Sequence, residues 1–297
     1  MTVAPDLRTA VGRWGADGFV VLPSFLPGDE IAAAAAELPG VFPTADEFHD
    51  AADPVRNARF RSEFGGIVDF PVAGVEISLL CVHPRLVGLA AALLRTDDLR
   101  LVSAEAWAKY TGAADYDQQV HRDYLNHTPL VPSDDVRFRQ VEMFVFLSEV
   151  TEDHGPPHFV PRSVTGSPSA LPNWFGPDDR PGFFAGEVSA AGPAGTVVAY
   201  EIGTFHRGTQ LTAARGARYT LHVNFRPAAA EWAVRHGWAD RSFQPAWNAF
   251  VVRASPRQLE LFGVPPPGHP YWTGRTLRGM AERYPGLDVS PWTPPPT

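Results

Sequence analysis

A mainly β protein with flanking helices, its strands arranged as a double-stranded β-helix (a cupin-like jelly roll), is the fold this 297-residue chain predicts. Three observations lead there. From Leu99 onward, short alternating or wholly apolar runs follow one another, each bounded by turns rich in Gly, Pro, Asp or Ser. These runs do not alternate with helical segments, as a doubly wound parallel sheet requires. The chain also holds 26 Gly and 30 Pro, a loop-rich composition that disfavours a helical bundle and suits many short antiparallel strands.

Taken in order, Asp6 reads as the cap of a short helix through Trp14, and DGFVVLP as a turn followed by a strand. PGDEIAAAAAELP carries acidic residues in its first turn and reads as a helix that stops at Pro39. Residues Gly40 to Gly66 are aperiodic and rich in Asp and Arg, which predicts a long surface segment covering a pocket. HPRLVGLAAALLRT, from His83 to Thr96, is an amphipathic helix with proline in its first turn. Strands are expected in LRLVSAEAWAKY, around Val120, and in RFRQVEMFVFLSEV, HFVP, GTVVAYEIGTFH and RYTLHVNFRP. Beyond Ala228 come several tryptophans, a helix around Thr276 to Tyr284 and an extended end, PWTPPPT. No repeat or linker divides the chain. Residues 1–297 therefore read as one domain with helical decoration at the N-terminus and a C-terminal extension after about residue 227.

A net charge of −8 and a pI near 5.7 offer no attraction to nucleic acid or an anionic membrane. The lone cysteine, Cys81, lies in the apolar run ISLLCV and reads as a buried structural thiol. MTVAPDLRTA lacks the basic and apolar regions of a secretory signal. No uncharged apolar run approaches the roughly 20 residues a bilayer needs. The expectation is a cytoplasmic protein, monomer or homodimer, acting on a small molecule.

The chemistry centres on QQVHRDYLNHTPL, Gln118 to Leu130. Residues two apart in a strand share a face, so His121 and Asp123 are expected to point together while Val120 and Arg122 point away. An imidazole and a carboxylate on one face can share a metal ion, with the third ligand from another strand. Candidates are His154, His158, His206 and His222. His206 is preferred because it closes an apolar strand near a barrel mouth. Two histidines and a carboxylate leave half an octahedral iron site open, unlike the closed four-ligand sites of structural zinc. Downstream, Arg215 and Arg218 precede the last good strand. Arg218 shares a strand face with Thr220 and suits a bidentate carboxylate clamp, whereas Arg215 reads as a solvated turn residue. Phe144 and Phe146 alternate within a strand and read as core, as do the tail tryptophans Trp232 and Trp238.

These residues, with DGFVVLPSFLPGDEI, AKY, VHRD, FVFLSEVTEDHGPPHFVPRSVTG and FHRG followed by RYTLHVNF, give a chain that resembles the phytanoyl-CoA dioxygenase family. Its members are non-haem iron and 2-oxoglutarate-dependent oxygenases, and the resemblance spans Gly18 to Pro227. It implies that His121, Asp123 and His206 bind Fe(II), that Arg218 holds the far carboxylate of 2-oxoglutarate, and that dioxygen is the second cosubstrate. It further places Lys109 and Gln118 or Gln119 near the cosubstrate, with Thr209 assisting the clamp. Trp107, Tyr124, Asn126 and His158 are the expected substrate contacts. Arg218 follows His206 by twelve positions, one more than is common in the family, and the turn TAARGA absorbs the difference. Asp123 replaces the small residue found in halogenating relatives, which implies oxygen transfer. A cupin-like metal-dependent isomerase or hydrolase and a noncatalytic jelly-roll binding protein stay open as alternatives.

Overall fold

Two antiparallel sheets with flanking helices emerge in the computed structural model, which describes residues 7–62, 65–113, 115–131, 133, 135–169, 171–232 and 237–293. The expected Asp6 cap and the last four residues of the extended tail lie outside the described residues. Pro291 and Trp292 fall in a short 3-10 turn. The strands are β1 (Phe19–Leu22), β2 (Ile67–Asp69), β3 (Leu99–Tyr110), β4 (Val120–His121), β5 (Val141–Phe146), β6 (His158–Phe159), β7 (Trp174–Phe175), β8 (Val188–Ser189), β9 (Val197–Glu201), β10 (His206–Arg207) and β11 (Ala217–Pro227). One sheet runs β1-β9-β5-β11-β3-β2 and the other β7-β4-β10-β6-β8.

Strand alternation divides the larger sheet into two faces. Ala104, Ala106 and Ala108 of β3, Val141, Met143 and Val145 of β5, and Leu221, Val223 and Phe225 of β11 point outward into the main hydrophobic core. The opposite face carries Glu105, Trp107 and Lys109 of β3 with Arg218, Thr220 and His222 of β11, all lining the space between the sheets. The pairing register shifts by one between Asn224 and Phe225, where β3 has an extra residue, Val102. This bulge changes the strand's parity, so Leu99 and Leu101 join the same core as Ala104.

The outer core is closed by helices. Gly28–Val41, Val75–Cys81 and Pro84–Leu94 turn Ile31, Ala34, Leu38, Ile77, Leu80, Leu86, Leu89 and Leu93 onto the sheet. The first of these does not stop at Pro39. A proline near a helix C-terminus forfeits only one hydrogen bond, and the Phe42 N–H closes the end on the Leu38 carbonyl at 2.7 Å. The stretch Val75–Leu94 is, among the described residues, long and apolar enough to cross a bilayer by length and composition. It is broken at Val82–His83, and two thirds of it is buried inside the protein. Cys81 is buried there as expected, burial pushing its thiol pKa up to about 12.

Gly40 to Gly66 differs from expectation. It forms two short helices, Ala45–His49 with a Thr44–Glu47 capping box and Pro54–Arg59 capped by Asp53. Among the described residues its charged groups are caps and solvent-facing side chains, while Phe42, Phe48 and Phe60 are buried. Phe48 stacks on Tyr110 at 4.1 Å, so the segment covers the outer face of the sheet rather than the cavity. The tail is also more helical than the sequence suggested, adding Pro245–Arg253 and Pro256–Glu260 to Gly274–Arg283. Trp247, Trp272 and Trp292 are buried in the outer core, and Trp238 packs against Phe70, Trp247 and Phe262. Trp232 rests on Phe138 at the surface.

Candidate metal centre

His121 and His206 are directly opposite each other on the neighbouring strands β4 and β10. Cross-strand partners present their side chains on one face, which brings the two imidazoles within 4.7 Å, centre to centre. Asp123 reaches them by a different route from the one expected. β4 ends at His121, and Asp123 has helical backbone angles (φ −81°, ψ −13°) at the start of the short helix Tyr124–His127. A turn, not strand period, aims its carboxylate. Arg122 anchors that turn from behind: its guanidinium lies over Phe205 at 4.5 Å and donates to Asn173 Oδ1 and the Ser169 and Pro172 carbonyls.

His206 likewise does not end the strand it was read with. β9 stops at Glu201, and Ile202–Phe205 cross to the second sheet, where His206 opens β10. The Thr204 hydroxyl ties this crossing to the Gly18 carbonyl at 2.9 Å. Gly18 has φ +87°, and a Cβ there would meet Thr204 Oγ1 at 2.6 Å. Only glycine fits, which is why DGF rather than any other turn precedes β1.

One ligand atom from each of His121, Asp123 and His206 lies within 4.8 Å of the others. Asp123 Oδ1 is 3.6 Å from His121 Nε2, and Oδ2 is 3.3 Å from His206 Nε2. The tautomers are set from behind. His121 Nδ1 donates to the Gln119 carbonyl at 2.9 Å and His206 Nδ1 to that of Thr204 at 3.1 Å, leaving each Nε2 lone pair for a metal. Burial, reinforced by His206, lowers the His121 pKa to about 4, so the ring is neutral and ligating at physiological pH. Burial alone would raise the Asp123 carboxyl. His206, His127 and His121, with a hydrogen bond from Tyr200, outweigh it and hold the group below the usual carboxylate range. The Tyr200 phenol, pushed well above its ordinary pKa by burial and by Asp123, stays protonated and donates to Asp123 Oδ2 at 2.5 Å.

Tyr200→Phe is expected to weaken metal binding by about 10- to 100-fold, the usual effect of removing a hydrogen bond that orients a ligand. An anaerobic metal titration checks this, and unchanged affinity would mean the phenol plays no part in orienting Asp123.

The triad opens on a cavity of about 670 Å³ between the sheets. Of the residues expected to contact cosubstrate or substrate, Lys109, Gln118, Gln119, Arg218, Trp107 and Asn126 line it. Thr209, Tyr124 and His158 do not. Thr209 is buried with its hydroxyl on the Pro156 carbonyl, Tyr124 packs beneath Arg122, and His158 binds Glu187 at 2.9 Å. His154 ends the 3-10 turn Glu152–His154 and hydrogen-bonds Thr151 at 2.8 Å. Arg215 pairs with Asp46 and Asp50 at the surface, as a turn residue should. Phe144 and Phe146 are core as read, in a buried cluster with Phe159, Val198 and Tyr200, and they also form part of the cavity wall.

The structure adds residues the sequence did not single out as functional, Glu105, Glu142, Tyr200 and Trp174, with His127 alongside Glu142, and it places His222, weighed as a third ligand, in the cavity wall outside the triad. Trp174, half exposed, stacks on His121 at 4.3 Å and forms part of the cavity rim. His222 lies between Trp107 and Phe144, 4.3 Å from each, and burial followed by Arg218 lowers its pKa well below the ordinary value. In β3 and β11 the signal was a polar or aromatic residue at every second position, as in Glu105 and His222; β5, β7 and β9 carry no such pattern at Glu142, Trp174 and Tyr200.

Both depressed histidines have a thermodynamic consequence. Unfolded, they take up protons near pH 6.5; folded, they stay neutral well below it, so the unfolded state binds more protons in that window. Stability of the metal-free protein is expected to fall as pH drops from about 6.5 towards 4, by up to about 1.4 kcal/mol per pH unit for each histidine. Denaturant midpoints at pH 7.5 and 5 test it. A flat profile would show that the rings protonate in place.

Arg218 is buried, and its Nη1 has no hydrogen-bond partner. Burial lowers its pKa to about 10, partly offset by Asp115, so it remains a cation. A buried, unpaired guanidinium nitrogen costs free energy unless an anion meets it. A two-histidine, one-carboxylate set fits Fe(II), and the Arg218 nitrogen fits a carboxylate of a ligand bound beside it.

Comparison with known proteins bears on this geometry. Residues 14–218 match the family model described as phytanoyl-CoA dioxygenase (PhyH). No curated protein matches the chain. Among solved structures, the alpha ketoglutarate-dependent epimerase SnoN from nogalamycin biosynthesis is 22% identical with a TM-score of 0.57, over 75% of this chain and 83% of that one. AviO1 from Streptomyces viridochromogenes Tue57 is 21% identical with a TM-score of 0.52, covering 77% and 98%. EctD from S. alaskensis, with 2-oxoglutarate and 5-hydroxyectoine, is 20% identical with a TM-score of 0.55, covering 77% and 79%.

Proposed function

The chain belongs to the phytanoyl-CoA dioxygenase family of Fe(II)- and 2-oxoglutarate-dependent oxygenases, and on that premise we propose that it hydroxylates a small organic metabolite, with release of succinate and CO2. In this reading residues 1–297 form one oxygenase domain whose two sheets are those of a double-stranded β-helix. The observation that carries the proposal is the pairing of the triad with Arg218 across one cavity, the guanidinium presenting an unpartnered nitrogen.

His121, Asp123 and His206 would hold the iron through Nε2, a carboxylate oxygen and Nε2. Arg218 and Lys109, which face each other across β11 and β3, would bind the far carboxylate of 2-oxoglutarate. Bound together, iron and 2-oxoglutarate supply the oxidising chemistry, coupling dioxygen reduction to decarboxylation. The protein's part is placement. Gln119 and Thr204 carbonyls fix the imidazoles, Tyr200 fixes the carboxylate, and Trp107, Phe144 and Phe146 give the cavity apolar walls that limit water. A cavity of this size suits a small molecule rather than a macromolecular segment. Consistent with that, a similar structure of SnoN contains Fe3+, alpha ketoglutarate and nogalamycin RO together.

Anaerobic addition of Fe(II) and then 2-oxoglutarate is expected to produce a weak visible charge-transfer band. Admission of oxygen with a metabolite panel should then yield succinate and a product one oxygen atom heavier. A folded, iron-loaded protein without the band would overturn the cosubstrate assignment. Succinate formed with a product of unchanged or lower mass would replace hydroxylation by epimerisation or desaturation.

A further inference from the structure

The aromatic rings deep in the cavity are committed to the protein itself. Phe144 and Phe146 pack in a buried cluster with Phe159 and Tyr200, and Trp107 stacks on His222. Trp174 is different. It lines the cavity, yet 48% of it is exposed. One side of its indole lies on the His121 ring, with centroids 4.3 Å and planes 17° apart. Among the described residues no second ring or cation covers it, and its Nε1 donates to no protein group. Tyr116, 44% exposed, lines the same cavity.

The indole is held out rather than left loose. Trp174 is the partner of His121 across β7 and β4. Asn173, just before it, is buried; its Nδ2 donates to the Arg122 carbonyl at 2.7 Å and its Oδ1 accepts from Arg122 Nε at 3.0 Å. Phe175, just after it, is buried with Phe183 and Phe205. With both neighbours fixed, strand alternation leaves Trp174 the cavity side. Folding gains nothing from the part of the indole that stays in water. An aromatic surface fixed in that state at a cavity mouth is a contact for a ligand.

Building on the oxygenase reading above, we propose that the substrate carries a flat, unsaturated ring that stacks on Trp174 and extends the His121–Trp174 pair, which makes Trp174 a specificity-determining residue. Walls such as Phe144 and Phe146 receive any apolar group. A planar platform selects by shape, because a second flat ring settles on it in the offset-stacked arrangement that a puckered ring of equal size cannot adopt. Trp174 touches a metal ligand, so a ring seated on it lies at the rim with its substituents directed towards the triad.

The test is calorimetric titration under nitrogen of the protein loaded with Fe(II) and 2-oxoglutarate, using 2-naphthylmethanol against its saturated counterpart, decahydro-2-naphthylmethanol. The saturated probe is the more hydrophobic, so partitioning alone would favour it. The flat probe is instead expected to bind about three- to tenfold tighter. Trp174→Leu, which keeps apolar bulk without a plane, should abolish that preference, and Trp174→Phe should retain most of it, with the charge-transfer band forming in both variants. Equal affinity for the two probes, binding of neither, or a preference that survives Trp174→Leu would overturn the proposal. So would loss of the band in Trp174→Leu, which would make the indole a support for His121 instead. If the band is missing from the unaltered protein as well, the oxygenase assignment fails, and the same titration on metal-free protein still decides whether the rim selects flat rings.

Discussion

Asp123→Ala is expected to eliminate the Fe(II)–2-oxoglutarate absorption band and lower turnover by on the order of 10³-fold or more, since a bound metal contributes several kcal/mol of catalysis. The carboxylate is the only anion in the triad, so it supplies both a ligand bond and the charge that holds a dication among neutral imidazoles. Its loss also strands the buried Tyr200 phenol, at a cost of about 1–3 kcal/mol. Asp123→Asn separates the two effects. Its amide oxygen still accepts from Tyr200, so stability should recover while iron affinity stays low. Full turnover in Asp123→Ala would remove the residue from the metal centre.

The second large effect is at Arg218. Replacing it by methionine keeps most of the volume and removes the charge. Truncating one partner of a buried ion pair costs about 2–5 kcal/mol, which is a loss of 2-oxoglutarate affinity of roughly 30- to several thousand-fold. Iron affinity should hardly move, because the triad lies outside β11, on β4, β10 and the turn after β4. The ligand-free protein should keep or gain stability, since a buried guanidinium with an unpaired Nη1 gives way to an apolar side chain. Opposite signs for cosubstrate binding and melting temperature identify a clamp. A parallel loss of both would make Arg218 a structural cation instead.

Much of this was legible in the chain. β3 and β11 were marked by their alternation, and His121, Asp123, His206 and Arg218 by their order. Where the reading missed, tertiary geometry had the deciding role. Asp123 converges on His121 through a turn pinned by Arg122, which local period does not encode. His206 changes sheet because Thr204 is tied to Gly18, 186 residues away in sequence. Gly40 to Gly66 looked like surface because its charges outnumber its phenylalanines, yet the rings of Phe42, Phe48 and Phe60 fill the gap over Tyr110 and Tyr219. Glu105 and Glu142 look like ordinary solvent-facing positions until a second sheet closes over them.

The bulge at Val102 acts as a ruler. Up to Ser103, odd-numbered residues of β3 face the cavity; beyond it, parity reverses and Leu101 and Leu99 turn to the opposite side. One surplus residue thus ends the cavity-facing polar lane at Ser103 and keeps leucine out of it. Variation at this single backbone irregularity would change which molecules fit while leaving the iron site, on the facing sheet, untouched. Substrate choice and metal chemistry can therefore drift independently in this architecture.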